Sequence, residues 1–501
     1  EVTIDPYARE ITGKKTFGLE RDLAAHEIRG KLVSQEYDWG EDRRLHLRWD
    51  EVVAYSLHVR GFTKHRSSRA RHKGTYLGVI EKLPYLKELG INQIQCMPVY
   101  EFEDCKKGKI NYWGYGPACY FAPKEAYAAG DSAVKELKDM VRACHREGIE
   151  VALEMPFAEG VPVQTVLECL RFYMLEYHVD GFVVNPYTVP WEVLCEDPFL
   201  KDVKLMRKDD SFQNVMRRFL KGDENTVNDV MRALSHNSAV DGKCNYITAQ
   251  TGFTLWDLVS YDSKHNEANG ENNTDGPDYN YSWNCGAEGP SRKRAVMALR
   301  KNQAVNAFFL LLTAQGTPCI LAGDEFYNTQ KGNNNVYCQD NETGWVDWSR
   351  LKTDPSLFEF VKGLIALRKK HPCLHREEEL KGLDRTACGV PDVSYHGESA
   401  WQVKNDVSSR QLGVLYSGTG AGDQGCFIAY NMHWLPHTFA LPSPGKNRGW
   451  KPAADTQRGI LSEPAALEDQ KAIELKERSI VFLTGTELEK KPDKGKGRKK
   501  P

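Results

Sequence analysis

Short apolar runs alternate with amphipathic segments from about residue 50 to residue 370 of the chain. Residues 52–57 (VVAYSL) predict a strand, and apolar positions at 79, 80, 83, 86 and 89 predict a helix over 77–89 that ends at Gly90. Further strands are predicted over 91–97, 149–153, 181–184, 203–206 and 318–322, and further helices over 134–145, 165–177 and 357–370. Repeated strand–helix units of this kind predict an α/β fold with a parallel sheet, most commonly closed into a TIM-type (β/α)8 barrel.

The pattern changes after Pro372. Apolar positions then recur with period two, Gly- and Pro-rich turns separate them, and aromatic side chains stand at Trp401, Phe427, Tyr430, Trp434 and Phe439. This pattern predicts a C-terminal antiparallel β-sandwich whose last strand covers residues 479–483. The following segment is rich in Lys and has no apolar periodicity, so we expect a disordered, solvated tail.

The chain has 501 residues, of which 41% are hydrophobic. This is too long for one ordinary core and too apolar for a disordered protein. We predict a barrel over residues 46–375, a β-sandwich over 376–486 and the tail over 487–501.

Charge and apolar run length argue against two classes of partner. The formal net charge of −2 provides no field that would attract nucleic acid or an anionic membrane surface. The longest apolar run, residues 307–312, is far too short to span a bilayer. We therefore expect neither nucleic acid nor a membrane as a partner.

Thirteen cysteines are scattered from Cys96 to Cys426, with no Cys-x-x-Cys pair and an odd total. Secreted disulfide frameworks are denser and shorter, so reduced, packed thiols are expected. No basic and apolar leader opens the sequence. The start of the sequence can be a cut point, which leaves export of a longer parent open. The cysteine usage favours a cytoplasmic location, and no cofactor is expected.

Several segments, spread over hundreds of residues, are similar to one enzyme family. They are residues 55–63 (YSLHVRGFT), 111–115 (NYWGY), 252–261 (GFTLWDLVSY), 264–272 (KHNEANGEN), 282–286 (SWNCG), 323–326 (GDEF) and 333–335 (NNN). The chain resembles isoamylase, pullulanase and the bacterial glycogen-debranching enzymes of glycoside hydrolase family 13, the α-amylase superfamily. The resemblance runs from residue 4 to residue 483. It implies that residues 1–45 are the remnant of an N-terminal carbohydrate-binding β-module and its linker.

Members of that family hydrolyse α-glucosidic bonds with retention, which needs a nucleophilic carboxylate and a second carboxyl that acts as acid and then base. A third carboxylate holds sugar hydroxyls, and an Arg keeps the nucleophile ionised. The resemblance implies that all of these stand at the carboxyl ends of barrel strands.

The fourth-strand motif of the family, Asp-Gly-Phe-Arg-x-Asp, corresponds here to residues 180–185 (DGFVVN). The position of the nucleophile is therefore Asn185 and that of the Arg is Val183. An amide is a poor nucleophile, and Val183 cannot pair with a carboxylate. The resemblance implies that both functions are lost together.

The other catalytic positions are also replaced. Lys208 stands where the resemblance places the general acid, and Gln250 and Thr251 replace the His-Asp pair before Gly252. A lysine donates a proton only if its pKa is strongly depressed. Asp209 offers a carboxyl if a one-residue bulge re-aims it.

Two segments are shortened relative to the family pattern. Residues 153–160 (LEMPFAEG) lack its Asn-His pair. The segment between the fifth strand and residues 219–222 is reduced to residues 209–216, so we expect the barrel to be incomplete around its sixth strand.

The expected function is a catalytically inactive or severely impaired homologue of α-1,6-glucan debranching enzymes. Tyr115 and Trp113 are its candidate sugar-binding aromatics, and α-glucan or an active protein partner is the expected ligand. One alternative is residual or altered glycosidase activity that uses Glu154, Asp180, Asp209 or Glu192. The other alternative is a scaffold that binds no sugar.

Two polar clusters are interpreted as structural. Asp324 and Glu325 follow a late strand and, by resemblance, support the barrel. The His/Asn/Glu segment over 265–271 lacks calcium-loop spacing, so it predicts an ordered polar loop, and no metal is expected.

Overall fold

The computed structural model describes residues 4–33, 36–387, 389–404, 406–445 and 447–488. Seven parallel strands form its main sheet: β1 (Ala54–Leu57), β2 (Gln93–Cys96), β3 (Glu150–Met155), β4 (Gly181–Val184), β5 (Lys204–Arg207), β6 (Cys244–Asn245) and β7 (Thr317–Leu321). Their hydrogen-bonded order is β5-β4-β3-β2-β1-β7-β6. Since β1 pairs with β7 as well as with β2, the sheet curls into a nearly closed TIM-type barrel.

The barrel is incomplete between β5 and β6, as the shortened sequence there predicts. The Arg207 amide donates to the Gly242 carbonyl at 2.8 Å and joins the two edges. In the described part of the chain, no strand lies between them. A helix begins at Ser211, only four residues after β5 ends, so the chain has no length for another strand.

Twelve α-helices cover the described chain. They are α1 (Val59–Lys64), α2 (Tyr76–Ile80), α3 (Leu83–Leu89), α4 (Ala133–Arg146), α5 (Val163–Tyr177), α6 (Trp191–Glu196), α7 (Ser211–Lys221), α8 (Val227–Ser235), α9 (Leu255–Leu258), α10 (Arg294–Leu312), α11 (Ser349–Thr353) and α12 (Ser356–Lys370). The longer ones pack their apolar faces on the outside of the barrel and build one continuous core.

The predicted helix over 77–89 is two helices. Thr75 caps the first by accepting from the Gly78 amide, and the second begins at Leu83 with Pro84 in its first turn. A proline has no N–H to donate to the preceding turn, so it is tolerated at a helix start and interrupts a helix interior. Gly90, at φ 98°, ends the second helix as expected.

The C-terminal region is an antiparallel β-sandwich. Its strands are β8 (Val393–His396), β9 (Gln411–Tyr416), β10 (Cys426–Asn431), β11 (His437–Ala440), β12 (Arg448–Asp455), β13 (Gly459–Ile460), β14 (Ala472–Leu475) and β15 (Ser479–Glu487). Six pair in the order β8-β9-β10-β15-β12-β13, and β11 pairs with β14. Alternate residues of β10 face two ways. Phe427 packs in the sandwich core beside Trp450, and Ile428 packs against the barrel core.

Residues 4–33 lie along the barrel with little regular structure. Strands Ile11–Thr12 and Arg29–Gly30 pair, and Ile11 and Ile28 pack on Ala122. Other short strands are Tyr100–Phe102 with Ala118–Pro123 and Cys105–Lys106 with Lys109–Ile110. From residue 489 onward, the predicted tail lies outside the described residues. The domain limits inferred from sequence stay predictions.

The described residues bear on two expectations, one about membrane spans and one about the cysteines. None of their helices is long and apolar enough to cross a bilayer. Twelve of the thirteen cysteines lie in the described part of the chain, and all twelve are free thiols.

Candidate functional site

A cavity of about 580 Å³ opens at the carboxyl ends of the barrel strands. Its walls bring together almost all positions singled out in the sequence. They are Tyr115, Val183, Asn185, Lys208, Asp209, Gln250 and Thr251. Residues more than 130 positions apart therefore meet in one pocket, at the end of the barrel where TIM-type enzymes carry their sites.

The register pairs Val183 of β4 with Glu154 on one side and Met206 on the other. Because alternate residues of a strand face the same way, Asn185 and Lys208 lie one step nearer the cavity mouth than that row. Together with Glu154 they make up the layer that lines the cavity on this side. The strand that leads to Asn185 is thus flanked by a carboxylate and an ammonium.

Lys208 forms an ion pair across that layer. Its Nζ lies 2.6 Å from Oε1 of Glu154 and donates to the Tyr115 hydroxyl at 3.0 Å. The same hydroxyl donates to Glu154 at 2.5 Å. These three side chains form a closed hydrogen-bonded triangle on the cavity wall, in which every charge has a partner.

The triangle fixes the protonation state of its members. Burial alone would lower the pKa of the Lys208 ammonium, but Glu154 and Tyr115 raise it above the ordinary lysine value. Burial and the Glu154 carboxylate raise the pKa of Tyr115. Lys208 is therefore held as a cation at neutral pH.

The Asn185 amide is used by its own loop. Its Oδ1 accepts a hydrogen bond from the Tyr187 amide at 3.0 Å, and its carbonyl accepts from Thr188. This is a local turn of the kind that Asn side chains commonly stabilise. The Asn185 side chain thus shapes the turn after β4.

Val183 is 8% exposed and belongs to an apolar layer directly beneath Asn185. Its neighbours inside the barrel include Ala152, Met206, Cys244 and Cys319. An arginine here would need a carboxylate partner in an apolar surrounding. The layer has the composition of ordinary barrel core.

Asp209 lines the cavity, and its carboxylate is engaged elsewhere. It accepts from the backbone and side chain of Ser211 and forms a 3.0 Å ion pair with Lys243. Burial opposes ionisation, but these contacts lower the pKa of Asp209 below its usual value. A carboxylate held ionised in this way is a poor proton donor.

Asp180 and Glu192 lie away from the cavity lining. Asp180 is at the opposite end of the barrel, where its carboxylate contacts His145 at 2.9 Å and accepts from the amides of Leu45 and Val151. Glu192 is exposed in the first turn of α6. Of the four carboxylates suggested for an altered activity, Glu154 and Asp209 line the cavity.

The two aromatic candidates are placed differently. Tyr115 lines the cavity, with the Lys208 ammonium 5.3 Å from its ring centroid. Trp113 is 5% exposed and packs behind it among Met97, Tyr112 and Val336. Trp113 supports the Tyr115 ring from behind rather than lining the cavity, and its predicted contact with sugar stays a prediction.

The sequence analysis missed a second carboxylate–tyrosine pair in the cavity. Tyr246 lies just after β6 and donates to Asp210 at 2.8 Å. Asp210 precedes α7 by one residue. No short motif joins two residues 36 positions apart, and only the meeting of β5 and β6 brings them together.

Asp324 and Glu325 lie below the cavity and are fully buried. Glu325 accepts from the hydroxyls of Tyr55 at 2.7 Å and Tyr85 at 2.5 Å, and Asp324 accepts from Thr248 and the Leu255 amide. Burial raises the pKa of each carboxyl to about 7. Both brace the loops that follow β6 and β7.

The polar segments on the rim interlock through asparagines. Asn266 exchanges hydrogen bonds with Asn334 at 2.9 and 3.0 Å, and Asn269 donates to the Asn335 carbonyl at 2.9 Å. The predicted polar loop is therefore tied to the Asn-Asn-Asn segment 60 residues later. This network shapes the rim on the side of α9.

Comparison with known proteins gives the same family along the whole chain. The family model of the α-amylase catalytic domain matches residues 60–157. A glycogen operon protein GlgX homologue of Haemophilus influenzae is 32% identical, covering 93% of this chain and 85% of its own. Chloroplastic isoamylase 1 of Arabidopsis thaliana is 31% identical, covering 91% and 73%. That alignment runs over 584 residues, more than this chain has, so it contains segments that are absent here.

Solved structures show the fold. The catalytic module of the pneumococcal glycogen-degrading protein SpuA superposes with a TM-score of 0.74 at 16% identity, over 98% of this chain and 86% of that one. Pullulanase from Bacillus acidopullulyticus superposes with a TM-score of 0.70 at 20% identity. The match covers 96% of this chain but only 65% of that enzyme. With two relatives above 30% identity and matched over most of their length, the chain belongs to the α-amylase superfamily, glycoside hydrolase family 13, in its isoamylase, pullulanase and glycogen-debranching group.

Proposed function

We propose that this chain is a debranching-enzyme homologue that binds α-glucan without cleaving it. The observation that carries the proposal is the ion pair between Lys208 and Glu154, 2.6 Å apart, beside the amide of Asn185. Two positions that retaining hydrolysis requires as carboxylates are here a paired cation and a neutral turn-forming group.

The acid step lacks a donor. Glu154 and Tyr115 hold Lys208 in its charged form, and transfer of its proton to a leaving oxygen would leave Glu154 without a cationic partner in a partly buried site. Loss of one member of a cooperating catalytic set costs on the order of 10⁴-fold in rate, and further losses add little. The missing nucleophile alone accounts for that loss.

Three of the four carboxylates that line the cavity support the proposal over residual activity. Glu154 is paired with Lys208, Asp209 with Lys243, and Asp210 with Tyr246, whereas the fourth, Glu159, is exposed. A nucleophile needs a free oxygen directed at the substrate, and a general acid needs a raised pKa. The three paired carboxylates are instead part of local structural contacts.

Glucan binding is supported by the size and lining of the cavity. A volume of about 580 Å³ lies in the usual range for small-molecule sites. Tyr115 provides an aromatic edge, and polar groups such as Gln250 and Thr251 line the opposite wall. Pullulanases of the same fold have been solved with maltose and with maltotetraose, which makes maltooligosaccharides the first ligands to test.

Binding is tested by retardation in native gels that contain glycogen. We expect the wild-type chain to be retarded, and Tyr115→Ala to migrate faster, with an apparent Kd weakened about tenfold, or roughly 1.4 kcal/mol. Trp434→Ala, in an exposed tryptophan of the C-terminal domain, is the matched control and should behave like wild type. Equal mobility of all three proteins in gels with and without glycogen would instead support the scaffold alternative.

Catalysis is tested with pullulan and limit dextrin at high protein concentration. We expect no release of reducing ends from the wild type or from Asn185→Asp combined with Lys208→Glu. The double variant restores two carboxyls, but Val183 still offers no arginine and the barrel wall between β5 and β6 stays short. Rapid turnover by the double variant would show that the shortened wall is compatible with catalysis.

We also propose a cytoplasmic site of action, supported by the free thiols of the twelve described cysteines. A role beside an active debranching partner is compatible with glucan binding. Co-purification with glycogen from cell extract, lost in Tyr115→Ala, would link the location to the binding site.

A further inference from the structure

Single ligand atoms of His371, Asp423 and Cys426 all lie within 4.8 Å of one another. Cys373 lies beside these three, and its amide donates to the Asp423 carboxylate at 3.4 Å. We call these four residues the junction cluster. It lies far from the cavity and belongs to none of the family motifs described above.

The junction cluster is assembled from two parts of the fold. His371 and Cys373 directly follow α12, in the short helical turn Pro372–Leu374. Asp423 lies in the loop before β10, and Cys426 is the first residue of that strand. About 50 residues separate the two pairs, so a search for ligand spacing within one segment could not find it.

The cluster is closed to solvent and rigidly held. Cys373 and Cys426 are 1% and 0% exposed, and the side chain of Asp423 is 4% exposed. Oδ1 of Asp423 lies 3.0 Å from Nδ1 of His371 and also accepts from the Gln424 amide at 2.6 Å. The other oxygen accepts from the Cys373 amide at 3.4 Å. Backbone donors thus fix the carboxylate toward the centre of the cluster.

Its donor set suits a cation. An imidazole, a carboxylate and a thiol direct one ligand atom each into a space no more than 4.8 Å across. A divalent cation bound there would replace the protons that these groups hold.

We propose that the junction cluster binds one zinc-like divalent cation through His371, Cys373, Asp423 and Cys426. One sulfur, one imidazole nitrogen and one carboxylate oxygen already lie together, and the Cys373 thiol would complete a four-coordinate set of the kind that zinc occupies in structural sites. Binding releases the protons held by the thiols and the imidazole. The cation fastens the end of α12 to β10 and so stabilises the contact between barrel and sheet.

The test uses the full chain, prepared in reducing buffer and stripped with a chelator. After equilibration with Zn²⁺ and gel filtration, we expect one zinc per chain by elemental analysis. Co²⁺ in place of Zn²⁺ should give a sulfur-to-metal charge-transfer band. Zn²⁺ should also raise the Tm of the stripped chain.

Two variants locate the site. Cys426→Ser should lose the stoichiometric zinc and the cobalt band, whereas Cys195→Ser, in the exposed thiol on α6, should keep both. If Cys426→Ser does not fold, the cobalt band of the wild type and its loss in Asp423→Asn decide the matter. The junction cluster is not a metal site if reduced wild type binds no stoichiometric metal, if bound Co²⁺ shows no sulfur band, or if Cys426→Ser binds like wild type. If the reduced chain takes up no metal and the oxidised chain contains a Cys373–Cys426 disulfide, the cluster has a redox role instead.

Discussion

The two ends of the barrel carry the same ion pair in two settings. Lys204 lies 2.6 Å from Glu150 at the amino ends of β5 and β3, and Lys208 lies 2.6 Å from Glu154 four residues further along each strand. The lower pair is 8% and 0% exposed. The upper pair is 35% and 7% exposed and borders the cavity.

The two pairs are built in the same way. Lys204 pairs with Glu150, and Gln93 also donates to Glu150 at 2.9 Å. Lys208 and Glu154 repeat that arrangement with Tyr115 in the place of Gln93. Lys208 thus forms a second crosslink to β3 from the carboxyl end of β5.

The largest effect should come from breaking the lower pair. Glu150→Gln leaves the Lys204 ammonium buried without a carboxylate, which costs about 3–5 kcal/mol of unfolding free energy. Urea denaturation of purified protein measures it. Adding Lys204→Met to the same chain should recover most of the loss, and failure to do so would mean that Glu150 acts through Gln93 instead.

Glu325 extends the comparison to a buried carboxyl that contacts tyrosine hydroxyls instead of a lysine. The pKa of Glu325 is about 7 in the folded state, because of burial, against an ordinary value of 4.5. The folded chain therefore retains a proton that the unfolded chain releases, so this contribution to stability is complete below about pH 4.5 and is lost as pH rises through 7. Its size is about 3 kcal/mol at most.

Glu325→Gln should remove that contribution. The difference in unfolding free energy between variant and wild type should shift in favour of the variant by about 3 kcal/mol between pH 4.5 and pH 8. The Glu325 charge contributes to the raised pKa of Asp324, so the same comparison in an Asp324→Asn background isolates the titration of Glu325. Two stability curves that run parallel across this range would show that Glu325 titrates normally.

The smallest effect should come from breaking the upper pair. Glu154→Gln should cost about 1 kcal/mol or less, because Lys208 is a third exposed and water replaces part of the lost interaction. The same urea assay measures it. If Glu154→Gln cost as much unfolding free energy as Glu150→Gln, water would screen the upper pair no better than the lower pair.

Much of this architecture could be predicted from periodicity. The strand over 181–184 agrees with β4 to the residue, and the shortened segment after β5 correctly predicted an incomplete barrel. The two-helix break at Pro84 was missed because apolar spacing continues across it. Periodicity reports which face is buried, and does not report whether the backbone hydrogen bonds are continuous.

The side chains at the strand ends could be identified in the sequence, but their partners could not. Lys208 is an example. Its pairing with Glu154 depends on the register of β3, β4 and β5, which brings together residues 54 positions apart. Long-range side-chain contacts of this kind follow from tertiary geometry, and a linear pattern contains no trace of them.

The barrel wall has its fewest backbone hydrogen bonds between β5 and β6. Elsewhere in the wall neighbouring strands share a ladder of bonds, whereas the backbone contact of Arg207 with Gly242 spans this gap. The barrel wall should open first where the fewest hydrogen bonds join it. Slow local opening and solvent entry should therefore begin between β5 and β6.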